Sequence, residues 1–416
     1  MEDPIKDEIR KQIDMAMRNP IILNPAYLDD EQLSREKQFA VLTEIFNANV
    51  RNKEIREIVG HFAPIYHGGH PIHFSTLGKT GTGKTITILY LLQEFERLCA
   101  DRGIPFRQYH LELICPVPCF RALNTLACLM GASRHYKRGI SLDELMTSIE
   151  RHLGTLTGYV VIFVDEADNI RRDPDTFYKF LVKRLPQRIS AKLILVFASN
   201  RLNWADNLDP RIKSCLKMRE IIFDPYNAES LQKILQIRVE KALDDDLVDE
   251  GVIAKIAAFC SRNHGDARKA VDLLCRSARL AAENANRVTL DIVDQASNEI
   301  ERDKYLTMVK NCPKQLQAAL YSTLTGKVKG RALHTGDAYL CYSDFCRQVD
   351  QPALTQRAFT DLVSELDMCG FLRARTVSRG RYGRTKEIYV SLAPAVVEQM
   401  KRLILANFDL LNRGET

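Results

Sequence analysis

The octapeptide Gly78-Lys79-Thr80-Gly81-Thr82-Gly83-Lys84-Thr85 constrains this chain more than any other feature. It matches the pattern G-x-x-x-x-G-K-[ST] and stands between an apolar run, Ile72–Leu77, and a helix-like segment, which is the context the pattern needs. Glycines let backbone N–H groups turn inward around phosphate oxygens. The helix that starts near Lys84 adds the positive end of its dipole. The octapeptide therefore reads as an ATP cradle in which Lys84 reaches the β- and γ-phosphates and the Thr85 hydroxyl binds Mg²⁺.

Apolar runs that alternate with helix-like segments surround the cradle: Ile72–Leu77, Phe106–Leu113, Tyr159–Val164 and Leu193–Ala198. This βαβ rhythm predicts an α/β fold with a parallel sheet covered by helices. Ile72–Leu77 is more polar than a fully buried strand should be, so it is expected nearer an edge or with its polar side chains satisfied by neighbours. Pro225 ends the run Glu220–Phe223. From about Tyr226 to Tyr305 the periodicity is helical, as in Leu231, Ile234, Leu235 and Arg238, or Val271, Leu274 and Cys275. The expected organisation is a nucleotide-binding domain over residues 1–225, a helical lid over 226–305 and a third domain over 306–416.

The run Tyr159–Val164 ends in Asp165-Glu166. Beside a phosphate cradle, Asp165 is expected to hold Mg²⁺ through its water shell and Glu166 to polarise the attacking water. Asp168 reads as structural. Leu193–Ala198 ends in Ser199-Asn200, and an amide there can orient a water beside the γ-phosphate; alone, an Asn after a strand is a turn residue. Arg211, in Asp209-Pro210-Arg211, either acts on a neighbouring molecule's nucleotide or pairs with a local acid. Gly265-Asp266 opens a helix with a capping acid, and Arg268 in its first turn is in range to swing onto the γ-phosphate.

The last third reads as three short helices and a basic hairpin, the pattern of a winged helix. Leu316, Ala319, Leu320 and Leu324 mark the first helix, Leu340–Val349 the second and Thr355–Leu366 the third. Phe371–Thr376 and Glu387–Leu392 read as strands. The third helix carries Thr355, Gln356, Arg357, Thr360 and Asp361 on its polar side, and Gln and Arg are side chains that read base edges in the major groove. Net charge is only +6, but the stretch Arg373–Lys386 holds six Arg or Lys and no acid. Its loop residues Arg379, Arg381, Tyr382 and Arg384, with Lys386, suit a minor groove or phosphates, and Tyr382 suits packing on sugars. Lys137 and Arg138 are lesser candidates, because a basic turn between helices is commonly just solvated.

The charged opening MEDPIKDEIRKQ reads as neither signal peptide nor membrane anchor, and no apolar run reaches bilayer length. Eleven cysteines include no CxxC pair, so they are expected to be buried, reduced thiols rather than a zinc site.

Cradle, Asp-Glu strand end, strand-end Asn and lid Arg, in this order, resemble the AAA+ ATPase superfamily. Arg347, the run Leu354-Thr355-Gln356-Arg357-Ala358-Phe359, and Ser378 through Ile388 are similar to the winged-helix domain of archaeal replication initiators. That family comprises single-chain relatives of the eukaryotic origin recognition complex and its cell-division-cycle loading factor. Ser34-Arg35-Glu36-Lys37-Gln38 resembles the family's N-terminal approach to the adenine pocket. Phe223-Asp224-Pro225-Tyr226 with Arg238 resembles its nucleotide-contacting lead into the lid, and Arg138-Gly139-Ile140-Ser141-Leu142 its helical insertion, here about 115–153. The resemblance implies that Arg35, Tyr226 and Arg238 contact ATP or ADP. It also implies that winged helix and insertion bind and bend double-stranded origin DNA. The further implied partners are the minichromosome maintenance helicase, which the protein helps to load, and a paralogous initiator on adjacent DNA. The implied location is cytoplasmic, at the nucleoid. Two other readings stay open: a signalling or defence P-loop ATPase with a winged helix, and a DNA-binding regulator that keeps nucleotide as a structural ligand without turnover.

Overall fold

A strand buried on both faces favours apolar residues, and Tyr159–Asp165 is buried throughout and apolar up to its terminal Asp165. The computed structural model describes residues 50–132, 139–216, 218–243, 247–284, 287–326, 333–378 and 384–410. The chain divides into two compact units after Val293.

The first unit contains strands β1 (Phe74–Leu77), β2 (Phe106–Glu112), β3 (Val117–Pro118), β4 (Tyr159–Asp165), β5 (Ile170–Arg172), β6 (Lys192–Ser199) and β7 (Arg219–Ile222). Among the described residues, five of these form a parallel sheet in the order β2-β4-β6-β1-β7. Helices α1 (Asn52–Phe62), α2 (Lys84–Asp101), α3 (Cys119–Leu129), α4 (Leu142–Gly154), α5 (Pro174–Lys179) and α6 (Pro210–Leu216) accompany it. Side chains alternate across a strand, so β4 feeds two cores. Val160, Ile162 and Val164 pack with Leu123, Leu126 and Ile149 of α3 and α4. Tyr159, Val161 and Phe163 pack with Phe62 of α1 and Leu91, Leu92 and Phe95 of α2. Each large apolar side chain buried this way contributes about 1.5–3 kcal/mol.

β1 is shorter than expected, and of the two alternatives it meets the second, at Thr76. It begins at Phe74 rather than Ile72, and it lies inside the sheet between β6 and β7 rather than at an edge. Thr76 Oγ1 donates to the Phe197 carbonyl at 3.2 Å, while Ser75 Oγ is buried with no hydrogen-bond partner among the described residues. β3 and β5 pair as a small separate ribbon that the sequence did not signal. Ser141 and Glu144 form a capping box on α4, and Arg184 holds that helix through Asp143 and Glu150.

The lid comprises α7 (Ala228–Ala242), α8 (Val252–Arg262) and α9 (Ala267–Glu283), with Asn227 and Asp266 capping the first and last. A long helix α10 (Leu290–Asn311) follows. It runs through residues 305 and 306.

The second unit is a winged helix: α11 (Lys314–Thr325), β8 (Leu333–His334), α12 (Thr335–Gln348), α13 (Gln356–Met368), β9 (Arg373–Ser378), β10 (Arg384–Tyr389) and α14 (Pro394–Asn407). β8, β10 and β9 form an antiparallel sheet in that order. Phe359, Val363 and Leu366 of α13 bury against Leu320, Tyr342 and Ile388. β8 and α14 are additions to the sequence reading, and α12 starts at Thr335 rather than Leu340. No helix among the described residues is long and apolar enough to cross a membrane. All eleven cysteines are free; Cys99, Cys119, Cys260, Cys275 and Cys346 are buried, but Cys115 and Cys215 are exposed, so burial does not hold for every thiol.

Candidate nucleotide site and nucleic-acid interface

A parallel sheet brings the C-terminal ends of its strands to one edge, and here that edge gathers the predicted site. β1 leads into the Gly78–Thr85 loop, β4 delivers Asp165 and Glu166, and β6 delivers Asn200. Lys84 opens α2 and is 6% exposed. Its Nζ donates to the Gly78 carbonyl at 2.7 Å, the Lys79 carbonyl at 2.9 Å and Asn200 Oδ1 at 2.9 Å. Burial pushes the ammonium down from an ordinary 10.5 to about 8, despite the opposing Asp165 carboxylate. Thr80 and Lys79 are exposed on the loop, and Thr82 is buried with its hydroxyl on the Lys79 carbonyl.

Thr85 Oγ1 donates to Asp165 Oδ2 at 2.7 Å, and the Glu166 N–H donates to Asp165 Oδ1 at 2.9 Å. His110 Nε2 stands 3.9 Å from Asp165 Oδ2, within electrostatic reach but beyond a direct hydrogen bond, and its ring stacks on Phe163. Burial alone would raise the Asp165 carboxyl. The neighbouring His110, the Thr85 hydroxyl and the Glu166 N–H outweigh it and hold the group below its ordinary value. Glu166 behaves oppositely: burial, then the charges of Asp165, Asp168 and Glu112, raise its carboxyl, with Arg268 opposing. Asp168 accepts from Ser199 Oγ at 2.8 Å and pairs with Arg201 at 3.2 Å, in keeping with a structural reading.

The lid touches the loop directly. The Ala267 N–H donates to the Gly81 carbonyl at 3.1 Å. Gly81 has φ +76°, and a Cβ there would stand 1.8 Å from Asp266 Oδ1; at Gly83, φ +86°, a Cβ would stand 2.2 Å from the Tyr226 hydroxyl oxygen. Only glycine fits both approaches. Asp266 Oδ1 accepts from the N–H groups of Arg268 at 2.9 Å and Lys269 at 3.3 Å. The Arg268 side chain lies at the start of α9 and is electrostatically coupled to Glu166 and Lys84. Arg238 is buried in α7 and Tyr226 is buried beside the loop. Arg211 is exposed on α6, its N–H held by Asp209 Oδ1 at 2.7 Å.

Arg35 lies outside the described residues. Among the described residues, Arg51 reaches the loop, and it carries no strong sequence signal. It is 5% exposed, lies 3.9 Å above the Tyr226 ring, donates to the Thr82 and Asp224 carbonyls at 2.8 and 2.6 Å, and pairs with Glu54 at 2.8 Å. Its only trace in the sequence is an Arg and a Glu three apart at a helix start. His110 and Asn169 are further additions to the predicted site, the first a polar break in a strand run, the second three residues after Glu166.

On the winged helix, Thr355 caps α13, its hydroxyl accepting from the Ala358 N–H at 3.4 Å. Gln356 and Arg357 are exposed. Thr360 spends its hydroxyl on the Gln356 carbonyl at 2.8 Å, so it has no free proton to offer a base. The Lys386 Nζ donates to Ser364 Oγ on α13, tying β10 to that helix. Arg384 opens β10 opposite Ser378. Lys137, Arg138, Arg379, Arg381 and Tyr382 lie outside the described residues. Arg373 and Arg375 of β9 are exposed basic positions beyond those singled out in the sequence.

Three family models match the chain: an AAA domain over residues 74–203, a Cdc6 AAA+ ATPase-type lid domain over 232–298, and a CDC6 C-terminal winged helix domain over 307–400. The ORC1-type DNA replication protein 1 of Methanosarcina mazei is 34% identical over 403 residues, 94% of this chain and 91% of the relative. The ORC1-type DNA replication protein of Pyrococcus horikoshii is 32% identical over 364 residues, 85% of each. The structure of the Aeropyrum pernix ORC1 protein in complex with DNA superposes with a TM-score of 0.70 at 29% identity, covering 96% of this chain and 98% of that one. Likeness of this extent, running through cradle, lid and winged helix alike, shows that the chain belongs to the family of ORC1-type DNA replication proteins.

Proposed function

We propose that the protein is an ATP-dependent replication initiator that binds origin DNA and helps load the replicative helicase, with ATP binding and slow hydrolysis as its switch. The seam between lid and phosphate loop carries this reading. Ala267 and Asp266 contact Gly81, and Tyr226 contacts Gly83, so a change in the loop is felt at once by the lid. The proposed division of labour is nucleotide binding in 1–225, sensing in 226–305 and DNA binding in 306–416.

The donor set suits ATP with Mg²⁺. Glycines whose Cβ positions are blocked form the loop, a buried ammonium lies inside it, and a hydroxyl and a carboxylate, both hard oxygen donors, stand 2.7 Å apart. Thr85 and Asp165 would hold Mg²⁺, which when bound neutralises charge developing on the phosphates. Lys84 binds the β- and γ-phosphates, and the backbone of Gly78 to Gly83 wraps them. Glu166, its basicity raised by burial and neighbouring carboxylates, accepts a hydrogen bond from the attacking water. Asn200 orients the same region, and Arg268 meets the γ-phosphate from the lid. Arg238 and Tyr226 hold the nucleotide side of the lid, with Arg51 bracing Tyr226. Arg211 is assigned to a neighbouring molecule's nucleotide.

The A. pernix relative was determined on DNA, which supports a DNA-binding role for the winged helix here. Gln356 and Arg357 are assigned to base edges, and Arg379, Arg381, Tyr382 and Arg384 to the backbone. Footprinting the full chain over genomic DNA with ATP and with ADP tests the proposal. Protection confined to replication start regions supports it, and protection with no sequence preference refutes it. Arg381→Ala with Arg384→Ala is expected to weaken binding and to lower the salt slope by about one for each phosphate that is no longer neutralised.

A further inference from the structure

We infer that Asn169 is a positioning residue that sets the orientation of the Glu166 carboxylate. The inference rests on the reading of Glu166 as the group that orients the attacking water.

Asn169 closes the short turn Ala167–Asn169 that follows β4. Its side-chain amide has two N–H groups, and both are committed. Nδ2 donates to Glu166 Oε2 at 2.7 Å and to the Leu113 carbonyl at 2.7 Å. Its backbone N–H donates to the Glu166 carbonyl at 2.8 Å. Leu113 in turn sits just past β2, and its N–H donates to the Asp165 carbonyl at 3.3 Å. The amide therefore cannot swing without breaking a bond to the backbone of the neighbouring strand end.

Glu166 needs such an anchor. It is a non-glycine residue at φ +51°, a conformation that persists only where its surroundings hold it. Its carboxylate lies among Asp165, Asp168 and Glu112, with Arg268 as the opposing charge. Left unheld, a carboxylate in that company turns toward the arginine or toward solvent. Asn169 fixes Oε2 and leaves Oε1 to accept from a water. A carboxylate held at one oxygen by a rigid donor is pre-oriented, and orientation of this kind is a recognised part of a catalytic barrier.

A purely structural role, pinning β2 to β4, makes different predictions. The test is single-turnover ATP hydrolysis by the full chain with Mg²⁺, with ATP affinity and Tm measured on the same samples. The proteins are wild type, Asn169→Ala, Asn169→Asp, Glu166→Gln and the Glu166→Gln, Asn169→Ala double variant. Asn169→Ala is expected to slow the chemical step by roughly 10- to 100-fold, a fraction of the ~10²–10⁴-fold that a positioned general base supplies, with ATP affinity changed less than about twofold. Asn169→Asp keeps the volume but removes the donor and adds a carboxylate, so its loss is expected to be at least as large. In the Glu166→Gln background, Asn169→Ala is expected to have little further effect, because the group it orients is gone.

Rates within about twofold of wild type for both Asn169 variants overturn the inference while leaving Glu166 in place. So does a full repeat of the loss in the Glu166→Gln background, or a parallel fall in ATP affinity. An unchanged rate for Glu166→Gln alone removes the reading of Glu166, and the inference with it.

Discussion

Gly81→Ala probes the seam through which loop and lid communicate. Gly81 has φ +76°, and a Cβ there would stand 1.8 Å from Asp266 Oδ1 and 2.2 Å from Asp266 Cγ. The carboxylate cannot retreat cheaply, since Asp266 is 8% exposed and its Oδ1 caps α9 through the Arg268 and Lys269 N–H groups. Two costs add. Holding alanine in the left-handed region costs about 1–2 kcal/mol, and forcing atoms into a filled space costs about 1–3 kcal/mol. Gly81→Ala is thus expected to destabilise the first unit by about 2–5 kcal/mol. Asp266→Ala alone loses a helix cap, about 1 kcal/mol. In that background the obstruction is gone, and Gly81→Ala should cost only the backbone term, about 1–2 kcal/mol. The double variant is therefore more stable than the sum of the single changes by about 1–3 kcal/mol. Urea unfolding of the four proteins measures this cycle. A Gly81→Ala cost below about 1 kcal/mol, or the same cost in both backgrounds, refutes the close packing of lid on loop.

Arg51→Ala leaves Glu54 buried without its ion pair and frees two carbonyls, a loss of about 3–5 kcal/mol. Thermal unfolding should fall by roughly 10 °C, and Arg51→Lys, which lacks the planar fork, should rescue little of it; full rescue by lysine would contradict the geometry. Lys84 yields a pH signature in the nucleotide-free protein. The unfolded chain keeps the Lys84 proton to 10.5, whereas the folded protein releases it near 8, so stability contributed at this site rises with pH across that window. The difference in unfolding free energy, wild type minus Lys84→Met, should increase by about 3 kcal/mol from pH 8 to 10.5. A flat difference, measured by urea titration at each pH, would show that the ammonium is not desolvated.

Sequence alone determined the features whose causes are local. Gly78–Thr85 is a cradle because glycine conformation, a lysine and a helix start are contiguous in the chain. Asp165, Glu166 and Asn200 were legible because each ends an uninterrupted apolar run, and a parallel sheet brings such ends together. The winged helix was legible from helical periodicity and an acid-free hairpin, although β8, with two residues, is too short to carry a period.

Tertiary structure decided what depends on distant partners. Nothing local in the sequence says that Arg51 reaches the loop. It does so through the Thr82 carbonyl, while a second bond, to the Asp224 carbonyl, spans 173 residues. The polar strand Phe74–Leu77 lies inside the sheet because a carbonyl of β6 accepts the Thr76 hydroxyl. That Lys386 bonds to Ser364, on another element, has no trace in the local sequence. Asn169 stands beside Glu166 in sequence, but it becomes an anchor only through Leu113, 56 residues earlier. Residue type and spacing specify the chemistry a segment can offer. Which oxygen or nitrogen meets it is settled only when the strands and the lid close around the loop.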